Sequence, residues 1–309
     1  MILEATVGKL CAKVGKLGYM VSRLQGFGGG MLPGFQKSYN QVNADHLKLA
    51  GIFRYLWPKF IHSMRFLSGL GILCCLLAGA CAGDGKRDVR DYYYPLDDLW
   101  SGKVYEYDLA AGDSSSPEYR YFRTIDRDSG LFLTGTFYDS RFQIGQIIRE
   151  GVGEEGIYVK EYSLYDADPE TGRQIQANAV IDSPEVFPFR VKDSVGVYMF
   201  SMNYQPPADP NTTIFLNRRR IFLGDAPAFE FRGQTYICIR FGLLEEIGTQ
   251  NGGTDLLEGR GEEWYAKDLG LVYYRKTFGD KNQIKVEYKL RDVYPMSELE
   301  KKAAAFFGD

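Results

Sequence analysis

Short runs of alternating apolar and polar residues fill the chain from Gly102 onward, and they constrain its fold more than any other feature. In residues 284–290 every second residue is apolar, and the residues between them are lysine or glutamate. Successive side chains of a strand point to opposite faces, so this pattern predicts one buried and one solvated face. Turn sequences such as residues 126–130 and 168–172 separate neighbouring runs. The pattern favours a mainly β, antiparallel domain.

Some of these runs are apolar on both faces, and residues 198–204 are a clear example. A sheet with one solvated side does not need such strands. We therefore expect a strongly curved sheet, a sandwich or an incomplete barrel with a covered concave face. Nineteen of the 22 tyrosines fall in residues 82–309, which suits a concavity lined by aromatic side chains.

The end of the chain departs from the alternating pattern. Leu299, Ala303 and Phe306 lie at helical spacing, and Ser297 followed by Glu300 has the form of a capping box. These residues predict a short C-terminal helix that packs against an open end or edge of the sheet.

Residues 64–81 have the layout of a secretory signal peptide. Arg65 precedes fifteen uncharged residues, and small residues then lead to Cys81. The run is shorter than the roughly 20 residues of a membrane-spanning helix. Residues 77–81, Leu-Ala-Gly-Ala-Cys, resemble the lipobox of bacterial lipoproteins, although Ala78 stands where leucine is commoner. We expect lipidation at Cys81; simple release after Ala-Gly-Ala and an uncleaved signal anchor are the alternatives.

This signal divides the chain into parts of different composition. Residues 1–63 carry eight Lys or Arg and two acidic residues; we interpret them as a misassigned start, with a genuine cytoplasmic extension as the alternative. Residues 82–95 are a predicted polar tether, and residues 96–309 a single β-rich domain. Residues 82–309 carry 28 basic and 38 acidic residues, a formal charge of −10. That charge argues against nucleic acid as a partner, because phosphates require a basic face.

The distribution of histidine and cysteine excludes several kinds of chemistry. His46 and His62 both precede the predicted domain, and Cys238 is its one cysteine. A histidine-based triad, a histidine general base and the common zinc sites are therefore excluded from the mature domain. We expect no metal and no cofactor. Cys238 is expected to be buried and inert, since no histidine stands near to activate it; a reactive thiol is the alternative.

Two clusters are candidate ligand sites. Arg218, Arg219 and Arg220 form a dense basic run inside a predicted strand; they could bind an anionic group, or protect a solvated edge strand from pairing. The aromatic residues at the start of the domain could form an exposed stacking platform or pack as the first edge of the core. They are Tyr92, Tyr93 and Tyr94.

Two further motifs carry weaker signals. Residues 151–156 match G-x-G-x-x-G, but two glutamates occupy the loop and a strand follows, so they predict a hairpin turn rather than a dinucleotide site. The adjacent pairs at 245–246 and 262–263 are glutamates that could serve a hydrolase. Neighbours on a strand point to opposite faces, however, so neither pair converges locally.

The closing part of the domain resembles a family of uncharacterised exported β-rich proteins of Bacteroidetes. Residues 264–272 read Trp-Tyr-Ala-Lys-Asp-Leu-Gly-Leu-Val and are similar to that family's W-Y-A-x-x-[IVL]-G-L-V closing hairpin. Residues 92–96 and 187–189 also fit this type. The resemblance implies a lipoprotein signal and an envelope-associated β scaffold, and it brings no catalytic residue.

Together these observations predict an outer membrane lipoprotein of the bacterial cell envelope, facing the periplasm or the surface. We expect it to be non-enzymatic, held to the membrane by its N-terminal lipid, and to bind a lipid, glycan or protein partner on its β scaffold. The alternatives are a histidine-free glycan hydrolase that uses paired carboxylates and a structural subunit of an envelope complex.

Overall fold

The computed structural model describes residues 85–109, 117–168, 171–192, 196–250, 254–279 and 284–308. The signal at residues 64–81, Cys81 and the preceding extension lie outside the described residues. Besides two short 3-10 helices, Arg90–Tyr92 and Leu96–Leu99, the described part of the chain contains fifteen strands and one α-helix. They are β1 (Arg87–Asp88), β2 (Lys103–Leu109), β3 (Glu118–Arg127), β4 (Gly130–Tyr138), β5 (Ile144–Val152), β6 (Gly156–Ala167), β7 (Gln174–Asn178), β8 (Val180–Pro188), β9 (Arg190–Val191), β10 (Tyr198–Tyr204), β11 (Thr213–Phe231), β12 (Gln234–Gln250), β13 (Thr254–Ala266), β14 (Gly270–Phe278), β15 (Ile284–Tyr294) and α1 (Met296–Phe307).

Twelve of these strands form one closed antiparallel ring. Its order is β5-β4-β3-β2-β15-β14-β13-β12-β11-β10-β8-β6, and β5 pairs with β6 to close it. β7 pairs with β6 outside the ring, and β1 pairs with β9 in a separate two-stranded sheet. The predicted mainly β, antiparallel class is confirmed. The curvature inferred from strands with two apolar faces is strong enough that the sheet closes on itself.

The burial pattern along β15 agrees with the alternation in its sequence. Tyr288 and Leu290 are buried and face the interior, while Lys285 and Lys289 are exposed. The G-x-G-x-x-G segment is also the predicted turn: β5 ends at Val152, β6 begins at Gly156, and the Gly153 amide donates to the Gly156 carbonyl. Local patterns therefore placed β15 and this hairpin correctly.

The barrel interior is layered. Along β11, Ile214 and Leu216 belong to one apolar cluster, Arg218 and Arg220 follow, and Phe222 belongs to a second, larger apolar cluster. Charged side chains therefore occupy the middle of the barrel, between apolar side chains on both sides.

The segment between β1 and β2 contributes to the larger apolar cluster. Val89 is fully buried, and its amide donates to the Phe189 carbonyl at 2.8 Å. The Tyr94 ring packs against Tyr105 and Phe122 with centroid distances of 5.2 and 4.2 Å. Residues 87–95, assigned above to the tether, are thus part of the folded domain: β1 pairs with β9, and the apolar side chains that follow pack into the core.

Helix α1 packs on the outside of the barrel rather than on an open end. Leu299 is buried with Val104 and Tyr119 of β2 and β3. The predicted capping box is wrong: the helix follows Pro295 as its N-cap, and Ser297 lies within the first turn. Pro fits here because the first helical amides have no intrahelical partner. Within the described ranges, no helix has both the length and the apolar character needed to cross a membrane.

Candidate functional site

The arginine run at residues 218–220 lies in the middle of the barrel wall. β11 pairs with both β10 and β12, so the edge-strand interpretation is wrong: its backbone hydrogen bonds are already taken on both sides. Alternation along the strand sends Arg218 and Arg220 inward. Arg219 points outward to Glu246, and its side chain is 43% exposed. The three arginines therefore occupy two environments, because Arg218 and Arg220 lie inside the barrel and Arg219 lies on its outer face.

Arg220 is held inside the barrel by a carboxylate of β13. Its Nε and Nη2 donate to the two carboxylate oxygens of Glu263 at 2.8 and 3.3 Å, and Tyr265 donates to the same carboxylate at 3.0 Å. Burial by itself raises the pKa of Glu263, but the Arg220 guanidinium outweighs it and lowers that pKa to about 2. Glu263 is therefore ionised at neutral pH.

A second buried ion cluster, formed by Arg218, Glu245 and Lys276, joins β11, β12 and β14. Glu245 accepts hydrogen bonds from Arg218 and, at 2.9 Å, from the Lys276 ammonium. Burial raises the pKa of Glu245, but Arg218 and Lys276 together lower it to about 2. Burial and the neighbouring Arg218 lower the pKa of Lys276.

A third buried ion pair lies on β3. Arg120 donates through Nε to Glu118 at 2.5 Å, and the Tyr274 hydroxyl donates to the other Glu118 oxygen at 2.8 Å. The Arg120 guanidinium also lies over the rings of Tyr107 and Tyr274, at 4.7 and 4.9 Å from their centroids. Such contacts stabilise a desolvated cation.

These groups surround an interior cavity of about 110 Å³. Its cationic wall is formed by Arg120, Arg218, Arg220 and Lys276. Four apolar side chains, on β5, β6, β8 and β10, also line the cavity: Ile148, Val159, Val186 and Phe200. Polar side chains on β5 and β6 lie among them, namely Gln146, Glu150 and Tyr162. Such a volume holds several waters but is smaller than the roughly 300–1,000 Å³ of pockets for drug-sized ligands. The cavity is thus small, and its lining mixes charged, polar and apolar side chains.

One donor on the cationic wall has no partner. Arg220 is 3% exposed, and its Nη1 is fully buried without a hydrogen bond. A buried donor left unpaired costs about 1–3 kcal/mol. The two other nitrogens of the same guanidinium are satisfied by Glu263.

The Glu150 carboxyl also lines the cavity, but its pKa is shifted in the opposite direction from that of Glu263. It accepts a hydrogen bond from the Tyr93 hydroxyl at 2.5 Å. Burial raises its pKa, although Tyr93 and Arg220 oppose that effect. Two carboxyl groups with opposite pKa shifts therefore line the same cavity.

The tyrosines at the entry to the domain are core residues and form no exposed platform. Tyr92, Tyr93 and Tyr94 are 8, 4 and 7% exposed. Tyr93 and Tyr94 line the cavity, while Tyr92 accepts a hydrogen bond from Arg87. The sequence analysis identified these three tyrosines as a cluster. Their contact with the cavity could not be predicted, because it depends on the insertion of residues 87–95 into the barrel.

Each adjacent glutamate pair divides as the strand geometry predicts. Glu245 and Glu263 point inward, whereas Glu246 and Glu262 meet arginines on the outer face. The convergence of Glu245 and Glu263 with buried cations was not predicted. The sequence of β14 did contain an indication of this. Lys276 lies on the same face of the strand as Tyr274 and Phe278, whose rings are buried.

Cys238 is a free, fully buried thiol. Burial raises its pKa to about 11, so the thiol is protonated at neutral pH and a poor nucleophile. This agrees with the inert thiol expected from the sequence. No group of histidine, cysteine, aspartate and glutamate side chains suited to a metal ion occurs in the part of the chain that the structure describes.

The fold and its interior define a closed antiparallel β-barrel with a charged, partly apolar internal cavity. No protein-family model matches this chain, and no curated protein matches it. Among solved structures, a "putative lipoprotein" from Parabacteroides distasonis ATCC 8503 is 15% identical over 64% of this chain and 95% of its own, with a TM-score of 0.40. A "putative exported protein with YmcC-like fold" from Bacteroides fragilis NCTC 9343 is 14% identical over 65% and 98%, with a TM-score of 0.38. With TM-scores below 0.5, neither likeness assigns a fold family or an activity to this chain.

Proposed function

We propose that this chain is a non-enzymatic, lipid-anchored binding protein of the bacterial cell envelope, with its ligand site inside the barrel. The observation that carries the proposal is the cavity inside the barrel, whose wall includes the buried side chains of Arg220, Lys276 and Glu263. A concave pocket in which a few polar groups and ionisable side chains of shifted pKa converge is the arrangement expected of a ligand site.

The anchoring part of the proposal depends on the sequence of residues 64–81. Cys81 follows a complete signal layout, and the described fold begins at Gly85. A lipid on Cys81 would therefore lie a few residues before the first described residue of the barrel domain.

The anchor is tested by mass spectrometry of the protein purified from its native membrane. We expect an N-terminal peptide that begins at a diacylglyceryl-modified Cys81, and we expect Cys81→Ser to abolish that modification. Cys75→Ser is the matched control, because it removes a cysteine inside the apolar run without removing the acceptor. Recovery of peptides from residues 1–63, or an unmodified N-terminus after residue 80, would contradict the proposed anchor.

One observation favours glycan hydrolysis as a second candidate. The raised pKa of Glu150 and the pKa of about 2 of Glu263 match the division between a general acid and an ionised carboxylate. It ranks second because Arg220 and Tyr265 already bind Glu263 and the cavity is small for a sugar substrate. Cleavage of envelope glycan by the wild-type protein, lost in Glu150→Gln, would favour it over the binding protein.

A further inference from the structure

We propose that the end of the barrel beside β1 rests on the membrane that holds the Cys81 lipid. In this orientation Arg90, Arg190 and Lys192 lie at the lipid phosphates, and Val197 and Ile237 enter the lipid interface. These five residues are called the tether-side surface below. The inference rests on the proposed anchor and adds the orientation in which the anchored barrel meets its membrane.

The short stretch of chain between Cys81 and the barrel limits where the membrane can lie. Cys81 precedes Gly85, the first described residue, by four positions, and four extended residues span at most about 14 Å. β1 begins two residues later, where Arg87 pairs with Asp225 of β11 at 2.7 Å. The lipid therefore enters the membrane beside the end of the barrel that holds β1.

The cations of the tether-side surface lie on or next to the two-stranded sheet of β1 and β9. These strands pair antiparallel, and Arg90, Arg190 and Lys192 are exposed there. No ion pair in the described part of the chain includes any of the three. Guanidinium and ammonium groups bind phosphate oxygens, and cations near an anionic membrane surface are attracted to it.

Most of the acidic side chains at this end are already engaged. Asp91 and Asp225 pair with other cations at 3.3 and 2.7 Å, while Glu155 stays exposed in the hairpin between β5 and β6. Residues 82–309 as a whole carry a formal charge of −10. Three exposed cations without a carboxylate partner are thus a local exception, on the side from which the lipid emerges.

Two exposed aliphatic side chains adjoin these cations. Val197 is 56% exposed, and it precedes Tyr198, whose hydroxyl oxygen lies 3.5 Å from a carbonyl oxygen of β9. Ile237 is 64% exposed. The turn after β13 donates one amide to the Ile237 carbonyl and the next amide to the Asp91 carbonyl, at 3.0 and 2.7 Å. Aliphatic side chains that water surrounds gain free energy when they are buried among acyl chains.

The orientation is tested with the lipidated protein, purified in detergent and reconstituted into vesicles of phosphatidylcholine with or without phosphatidylglycerol. A fluorophore is attached to Val197→Cys, or to Val180→Cys as the matched control. Val180 is 60% exposed, and its partner Asn203 lies about 20 Å from Val197 along β10. Cys238 is buried and should not take up the label. A lipid with a quencher in its headgroup should quench the label at position 197 strongly and the label at position 180 weakly.

The contribution of the cations is tested in the same vesicles. Arg190→Gln combined with Lys192→Gln should reduce quenching at position 197 when phosphatidylglycerol is present, because each cation favours the membrane-bound orientation about fivefold. Lys160→Gln combined with Lys285→Gln is the matched control. It removes the same charge from exposed positions on β6 and β15 and should leave the quenching unchanged.

Equal quenching at the two labelled positions, stronger quenching at position 180, or equal effects of the two charge variants would overturn the inference. So would a label at position 197 that is shielded in native membranes but not in vesicles of lipid alone, because a protein would then cover this surface. A lipidated Cys81 with equal quenching rejects the orientation and keeps the proposed anchor, whereas a protein without lipid on Cys81 rejects the anchor as well.

Discussion

Glu262 and Glu263 are adjacent in sequence but occupy opposite environments. Glu263 is 5% exposed and holds Arg220 inside the barrel. Glu262 lies on the outer face, where it pairs at 3.1 Å with an Arg275 side chain that is 58% exposed. Solvent screens the outer pair, whereas removal of one partner from the inner pair leaves a buried charge uncompensated.

We therefore expect Glu263→Gln to destabilise the protein by about 3–5 kcal/mol. The Glu262→Gln control should cost less, because Glu262 is 14% exposed but its partner Arg275 is 58% exposed and is hydrated when the pair is lost. Urea unfolding of both variants at neutral pH measures the difference. Similar losses for the two would mean that the interior is hydrated enough to screen Arg220.

At the scale of the element, two glycines of β13 allow the neighbouring strand β14 to approach closely. A Cβ at Gly261 would lie 2.1 Å from the backbone oxygen of Arg275 on β14, and one at Gly259 would lie 2.4 Å from the Phe278 ring. The absence of side chains at these two positions lets β14 approach and lets Phe278 fill the interior. Lys276, which pairs in register with Gly261, is thereby held close to Glu245.

Gly261→Ala should destabilise the protein by about 1–3 kcal/mol or more, because a backbone atom blocks the new methyl group and cannot turn aside. Gly242→Ala on β12 is the control, since the nearest atom there is the end of the Leu223 side chain at 3.1 Å. Thermal unfolding should show a clear loss for the first and a small change for the second. A tolerated Gly261→Ala would mean that β13 and β14 can separate without cost.

At the scale of the whole molecule, the folded body begins well before the predicted domain boundary at residue 96. Val89, Tyr93 and Tyr94 are buried in the larger apolar cluster, and Asp268 donates its amide to the Asp91 carbonyl. The segment is therefore part of the core. A closed barrel without it would expose aromatic rings of its interior to water.

A chain that begins at residue 96 should lose most of its stability, because it loses several buried aromatic side chains that each contribute about 3–5 kcal/mol. A chain that begins at residue 85 keeps all of them and should unfold like the mature protein. Circular dichroism during urea unfolding compares the two. Equal midpoints would show that the segment only covers the barrel; Tyr94→Ala in the longer chain would then also be tolerated.

Several features of this architecture could be predicted from the sequence because they depend on residues close together in the chain. Alternating apolar and polar residues predicted strands such as β15, because successive side chains of a strand point to opposite faces. Turn chemistry placed the hairpin at Gly153, and the uncharged run before Cys81 predicted an exported chain without any reference to the fold. Neither prediction needed to know which strands become neighbours.

Other features were decided by the tertiary structure. Alternation shows that Arg218 and Arg220 share a face but not that this face is interior, and a charged residue on a strand is ordinarily solvated. The pairing of β5 with β6 closes the ring, and the adjacent positions of β11, β12, β13 and β14 in that ring bring Arg220 to Glu263 and Lys276 to Glu245. These contacts join residues 43 and 31 positions apart. The sequence by itself determined the mainly β class and the alternation along strands such as β15. Closure of the barrel determined the charged cavity, because it turned one face of every strand of the ring toward a shared interior.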